Sequence, residues 1–186
     1  MDPLEIIAEF YPPGTKTYNM MVQHGKQVAD KAVSSAKKVP HLNPDFNFIR
    51  EAAMLHDIGI FLTHTPELGC TGDHSYVCHG YLGREILERK GLPEHALVCE
   101  RHVGVGITAE EIKRHHLPLP QRDMVPVSIE EQVICFADKF FSKNGNLIAT
   151  EKSVEDILRR LEPYGADKVI TFQSWVRLFK CYRYFP

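Results

Sequence analysis

A chain of 186 residues is long enough to bury one sizeable core, and its 44% hydrophobic and 25% charged residues exclude a disordered or fibrous polypeptide. A formal net charge of -2 supplies no electrostatic pull toward a nucleic-acid polyanion or an anionic membrane, so neither is expected as the main partner. Met1-Asp2-Pro3-Leu4-Glu5 lacks the flank of a signal peptide, no stretch approaches the roughly 18 apolar residues of a spanning helix, and the cytoplasm is the expected location.

Gly and Pro fall as punctuation between segments of helical period, which predicts an all-α fold in one domain over residues 1–186. A long helix is predicted from about Thr17 to Lys37, with Met21, Val22, Val28, Ala29, Ala32 and Val33 on one apolar face and His24 among them. A second begins near Pro44, buries Phe46, Phe48, Ile49, Ala52, Ala53 and Leu55, and stops at Gly59. That places His56 and Asp57 in its last turn. Ile60 to Ser75, mixing Thr, Pro, Gly and Asp, reads as a loop beside the site. Helices over about Tyr76–Lys90 and Pro93–His102 follow. Thr108-Ala109-Glu110-Glu111 and Ser128-Ile129-Glu130-Glu131 each fit a capping box, and the helix that the second opens carries Asp138. Helices over Ser153–Leu161 and about Ala166–Tyr184 complete the bundle; the core is expected over about 17–145, with 151–184 packed on it. The five cysteines, Cys70, Cys78, Cys99, Cys135 and Cys181, form no Cys-x-x-Cys pair and read as small buried residues rather than a disulfide framework.

The chemistry concentrates at His56-Asp57-Ile58-Gly59, where two ionisable residues end an apolar helix. Burial there needs compensation, and a divalent metal supplies it by keeping the imidazole neutral and the carboxylate ionised. His24 lies in the middle of an amphipathic helix, and Asp138 interrupts the apolar run Ile134-Cys135-Phe136-Ala137.

Histidine, then His-Asp, then a distant Asp, all on helices, resembles the ligand order of the HD phosphohydrolase superfamily. The segments His79-Gly80-Tyr81-Leu82-Gly83-Arg84-Glu85-Ile86-Leu87 and Glu100-Arg101-His102-Val103-Gly104 look like the two extra histidine segments of its HDIG subgroup, which includes bacterial diadenosine tetraphosphate hydrolases. From His102 to Val125-Pro126 the chain also resembles small, mainly archaeal HD proteins of undefined activity. The resemblance covers about His24 to Ser142 and implies an HD-domain helical bundle. It implies one metal on His24, His56, Asp57 and Asp138, and a second on Asp57, His79 and His102.

Four imidazoles and two carboxylates without a thiolate suit iron first, then manganese or another octahedral divalent ion. The implied reaction is hydrolysis of a phosphoester or phosphoanhydride of a nucleotide or small phosphorylated metabolite by metal-activated water, with Asp57, His64 and Lys139 as catalytic candidates. His64, Arg84, Arg101 and Lys139 are candidate substrate contacts, the cations through the phosphate charge. His41, His74, His95, His115 and His116 match no ligand segment. Two other readings stand beside hydrolysis. One is a mixed-valence di-iron oxygenase of the myo-inositol or organophosphonate type; those enzymes carry a lysine soon after the last histidine ligand, where this chain has Val103-Gly104-Val105-Gly106-Ile107. The other is a ligand-sensing module without turnover, which would not need all six ligands. The His-His and Gly-Tyr-Pro pattern of the signalling HD-GYP phosphodiesterases is absent.

Overall fold

The structure, a computed structural model, describes residues 1–143 and 151–179. Helices dominate: α1 (Pro3–Phe10), α2 (Lys16–Ala36), α3 (Phe46–Leu55), α4 (His79–Arg89), α5 (Pro93–Arg101), α6 (Ala109–Arg114), α7 (Ile129–Asp138), α8 (Val154–Leu161) and α9 (Ala166–Leu178). The expected loop after the His-Asp pair holds a small antiparallel ribbon, β1 (His64–Thr65) with β2 (Cys70–Thr71), in the register His64 to Thr71. The all-α expectation holds. The last predicted helix was to reach Tyr184, and the part beyond residue 179 lies outside the described residues, as does Cys181.

Local chemistry sets the helix starts. Thr15 caps α2 by accepting from the Tyr18 amide, Asp45 caps α3 through the Asn47 and Phe48 amides, and Thr108 with Glu111 forms the full capping box at α6. Only half of the second box forms. Ser128 accepts from the Glu131 amide, but the Glu131 carboxylate turns to the Val127 amide and Arg101. α1 had no sequence expectation; Asp2 caps it and Pro3 starts it. Just beyond its end, the Tyr11 hydroxyl donates to the Ile58 carbonyl and accepts from the Phe61 amide, both at 3.0 Å.

α3 stops at Leu55, four residues before the expected glycine. His56 is the cap residue, and Asp57 leaves the helix at φ -105, ψ 8, a bridge-region conformation common at active sites. The chain then makes a 3-10 turn over Ile58–Leu62, which the Tyr11 bonds hold. Gly59 therefore is not a helix stop. A Cβ there would lie 2.3 Å from the His79 carbonyl oxygen and 2.5 Å from the Gly83 nitrogen, so its role is to let α4 approach the backbone. Two other glycines act alike. A Cβ on Gly25 would meet the Met54 Cα at 3.1 Å, where α2 crosses α3, and one on Gly83 would meet the Cys99 sulfur at 2.2 Å, where α4 crosses α5. These crossings bring His24 beside His56, and His79 beside His102.

Two apolar clusters flank those crossings. Val28, Ala32, Ile49, Phe136, Phe172 and Phe179 belong to the larger, which joins α7 to α8 and α9. Ile7, Tyr11, Leu55, Ile58, Leu87 and Cys99 belong to the other, which seats α1 and the turn after Asp57. α2, α3 and α5 contribute to both.

Candidate metal centre

All six expected ligands converge, and all are buried. Five sit at helix ends or just beyond them: His56 and Asp57 follow α3, His79 opens α4, His102 follows α5, and Asp138 closes α7. Only His24 lies mid-helix. Ligand atoms of His24, His56, Asp57 and Asp138 lie within 4.8 Å of one another, and so do those of Asp57, His79 and His102.

The ring orientations are fixed from behind. Nδ1 of His56 lies 2.6 Å from the Ala53 carbonyl, that of His79 2.6 Å from Tyr76, and that of His102 2.7 Å from Cys99. A carbonyl only accepts, so each Nδ1 carries hydrogen and each Nε2 turns a lone pair inward. The helix-end carbonyls are held too. Cys99 Sγ donates to the His56 carbonyl at 2.9 Å, while Cys135 Sγ (3.4 Å) and Lys139 Nζ (3.2 Å) donate to that of His102. These cysteines are buried and free, as expected, and each thiol is also a donor.

Asp57 divides the cluster. Its Oδ2 lies 3.1 Å from His56 Nε2 and 3.3 Å from His24 Nε2, while Oδ1 lies 3.3 Å from His102 Nε2 and 3.4 Å from His79 Nε2. Asp138 Oδ1 completes the first half at 3.0 Å from His24 Nε2. In the second half, His79 Nε2 and His102 Nε2 face each other at 3.0 Å. Two neutral rings that each give the Nδ1 hydrogen to a carbonyl meet here lone pair to lone pair, an arrangement that a cation between them stabilises. Both Asp57 oxygens and His56 Nε2 are buried with ion-pair contacts but no hydrogen bond of proper geometry. The donor set fits two divalent cations, one on each side of Asp57.

The cation-free charge balance points the same way. Burial opposes ionisation of Asp57 and Asp138, but His56 and Lys143 beside the first, and Lys139 and Lys143 beside the second, hold both well below the usual carboxylate range. Burial also opposes charging His56, yet Asp57 and Asp138 outweigh it and push its pKa up to about 9. His102 goes the other way: burial pushes it down to about 3, against Asp57. Without ions, a proton on His56 and the ammonium of Lys143 supply the positive charge that the carboxylates demand.

Lys143 was missed in the sequence. Its Nζ lies 3.0 Å from Asp57 Oδ2 and 3.7 Å from Asp138 Oδ1. Lys139, expected beside a ligand, is there, with Nζ 2.8 Å from Asp138 Oδ2. The two lysines are one helical turn apart in number, a spacing that could have flagged the second. Arg84 and Arg101 were expected as phosphate contacts, and the structure engages them elsewhere. Arg84 pairs with Glu100 at 2.5 Å and Glu88 at 2.7 Å, and Arg101 with Glu131 at 2.9 Å. Glu100, 1% exposed, is also bound by Arg122, so buried carboxylates claim both guanidiniums. His64 stands exposed on β1, its backbone amide bonded to the His74 carbonyl.

A sequence model of the HD domain matches residues 12–142. A tRNA (cytidine(56)-2'-O)-methyltransferase of Thermoplasma volcanium is 33% identical over 159 residues, which is 81% of this chain and 42% of that protein. A protein of the same name from Picrophilus torridus is 32% identical, over 67% of this chain and 32% of its own length. The chain thus spans less than half of either methyltransferase. An uncharacterized protein of Methanocaldococcus jannaschii is 35% identical over 76% of this chain and 75% of its own. Among solved structures, the HD domain of the L. monocytogenes phosphodiesterase PgpH in complex with cyclic-di-AMP superimposes with a TM-score of 0.54 at 15% identity, covering 97% of this chain and 96% of that one. No helix among the described residues is long and apolar enough to cross a membrane. With the six clustered candidate ligands all inside the matched residues, this chain belongs to the HD domain family.

Proposed function

We propose that this chain hydrolyses a phosphoester or phosphoanhydride of a nucleotide or other small phosphorylated metabolite, with two divalent cations held on either side of Asp57. Iron is the first assignment, and manganese the next, because the donors are imidazole nitrogens and carboxylate oxygens without thiolate. The observation that carries the reading is the split of the Asp57 oxygens between two histidine pairs. When bound, such a pair of ions supplies water activation at neutral pH and neutralisation of phosphoryl charge.

The chain's own residues do the rest. Backbone carbonyls at Ala53, Tyr76 and Cys99 keep three imidazole lone pairs aimed inward. Lys139 and Lys143 place ammonium charge at the open side of Asp138, where it complements the charge on a phosphoryl group. Neither thiol beside the cluster competes as a nucleophile: burial keeps Cys99 well above its ordinary pKa and pushes Cys135 up to about 12, so both stay protonated. His64, on the exposed ribbon, is assigned to the substrate side. The PgpH domain is described as a phosphodiesterase in complex with a cyclic dinucleotide, which agrees with a phosphorylated substrate.

The test begins with metal analysis of protein purified without added metal. A panel of phosphomonoesters, phosphodiesters, nucleoside polyphosphates and an RNA oligonucleotide is then assayed in air and without oxygen, on wild type and Asp57→Asn. RNA joins the panel because two relatives are named as tRNA methyltransferases. Two metals per chain and oxygen-independent hydrolysis that Asp57→Asn abolishes are expected; His64→Ala should raise KM more than it lowers kcat. Oxygen consumption with no hydrolysis would instead establish the oxygenase reading, and metal-loaded protein inert in every arm would leave the sensing module.

A further inference from the structure

Beside the cluster, between the end of α7 and the start of the next described segment, lies a cavity of about 310 Å³. Its walls include Tyr76, Asp138, Lys139, Lys143, Lys152 and Arg160. The volume falls at the lower end of the roughly 300–1,000 Å³ of small-molecule sites. The charge around it is lopsided, with three ammonium groups and one guanidinium against the Asp138 carboxylate.

Lys139 and Lys143 are accounted for by Asp138 and Asp57. The other two cations are not. Lys152 Nζ lies against the carbonyl oxygens of Lys139 at 3.1 Å and Phe141 at 2.5 Å, contacts that hold its head in place without neutralising it. Arg160 is exposed at the rim on α8, and neither residue has an ion-pair partner among the described residues. The sequence of residues 144–150 contains no acidic residue that could serve. Burial, helped by repulsion from the neighbouring Arg160, Lys139 and Lys143, outweighs Asp138 and lowers Lys152 to about 8. An anion in the cavity relieves that repulsion. With the scissile phosphoryl group beside Asp57 and Asp138, the unpaired positive charge of Lys152 and Arg160 on the same cavity suits a second anionic group on the same ligand.

We infer that Lys152 and Arg160 form a subsite for a second phosphoryl group, so that the substrate class of this site is a compound with a phosphoanhydride chain rather than a simple monophosphate ester. This inference rests on the phosphohydrolase reading. Water forms a new P–O bond at the phosphorus next to the cluster, the bridging P–O bond breaks, and orthophosphate leaves with release of one proton. The bridging oxygen keeps its electron pair and stays on the phosphate that Lys152 and Arg160 hold, where their charge stabilises it.

The experiment uses the metal-loaded chain as wild type, Arg160→Met and Arg160→Lys, with inorganic tripolyphosphate and orthophosphate as calorimetric ligands. Arg160 is exposed, so neither substitution disturbs the core. Tripolyphosphate should bind wild type more tightly than orthophosphate does. Arg160→Met should weaken tripolyphosphate about tenfold or more, the loss of one charge-assisted contact, and leave orthophosphate within about twofold; Arg160→Lys should keep most of the affinity. Metal content measured in the same samples shows that the polyphosphate has not stripped the ions. Equal binding of the two ligands to wild type, or an equal effect of Arg160→Met on both, overturns the subsite. Hydrolysis of tripolyphosphate and of p-nitrophenyl phosphate is followed in parallel. A wild type that cleaves neither of these nor any member of the phosphoester panel, while the binding contrast persists, removes the phosphohydrolase reading and leaves the subsite standing.

Discussion

The double substitution His79→Ala with His102→Ala isolates the second half of the centre. It removes two of the three groups there, leaving Asp57 Oδ1, while His24, His56, Asp57 Oδ2 and Asp138 are untouched. One carboxylate oxygen is too little to hold an ion, so metal content should fall from about two to about one per chain. Linkage sets the thermal consequence. An ion present at 100 times its Kd stabilises the folded chain by about 2.7 kcal/mol, so two such sites give about 5.4 kcal/mol. For a chain of this length each kcal/mol is worth roughly 2–4 °C, so saturating metal should raise the wild-type Tm by about 10–20 °C and the variant's by about half as much. The metal-free variant should also lose less stability than two truncated buried rings would imply, because the 3.0 Å contact between two Nε2 lone pairs is repulsive without a cation. Metal analysis and thermal unfolding, each with and without chelator, measure all of this on one preparation. Unchanged stoichiometry with an unchanged metal-induced shift in Tm would refute the two-ion reading of Asp57.

Three further outcomes follow from other contacts. Gly83→Ala puts a methyl group 2.2 Å from the Cys99 sulfur; it should cost about 1–3 kcal/mol in urea unfolding and weaken the second metal before the first, since both α4 and α5 carry its ligands. Glu100→Ala strands Arg122 and leaves Arg84 with Glu88 alone. It should cost about 2 kcal/mol, below the roughly 3–5 of a fully buried pair because both arginines are partly exposed, with metal per folded chain unchanged. If Arg84 touched substrate instead, Arg84→Met would raise KM without loss of stability. In chelated protein, stability should peak near pH 6.5. His56 has a folded pKa of about 9, above its unfolded value, so its contribution is complete below about 6.5 and fades as pH rises toward 9. His102, lowered to about 3, contributes above about 6.5 and loses that as pH falls, and the depressed Asp57 and Asp138 add a further loss at lower pH. Urea midpoints from pH 4 to 9 measure the curve, and a flat line across pH 6.5–9 contradicts the charge assigned to His56.

Residue type and context single out His56 and Asp57, with His24 and Asp138, as ionisable groups set in a helical apolar pattern that burial would otherwise forbid, whereas His79 and His102 come only from the resemblance to the HDIG subgroup; the fold brings all six together. Geometry that depends on neighbours was harder to read. Gly59 looked like a helix stop because a glycine after an apolar run usually is one, yet its actual constraint, the His79 carbonyl 2.3 Å from a would-be Cβ, comes from a helix twenty residues onward. Arg84 and Arg101 looked available to substrate because their carboxylate partners Glu100 and Glu131 are distant in sequence. Lys143 lies past the end of α7, and nothing in the sequence next to it marks a ligand segment. Only the fold shows it reaching Asp57, and the same turn of chain aligns it with Lys139.

The placement of the ligands explains why a polar cluster is tolerated in the middle of an apolar bundle. Five of the six sit where a helix starts, stops or has just stopped, so their backbones already need partners, and Cys99, Cys135 and Lys139 satisfy the carbonyls of His56 and His102 from neighbouring helices. α2, α3 and α5 line both apolar clusters, and the ligands lie on or next to those helices and the two that cross them. Ions bound there would tie together α2, the end of α3, the start of α4, the end of α5 and α7, elements separated by more than a hundred residues of chain. Metal binding and the packing of the two clusters are therefore coupled: ligand loss should loosen both sides of the bundle, and a packing change such as Gly83→Ala should be felt at the ions.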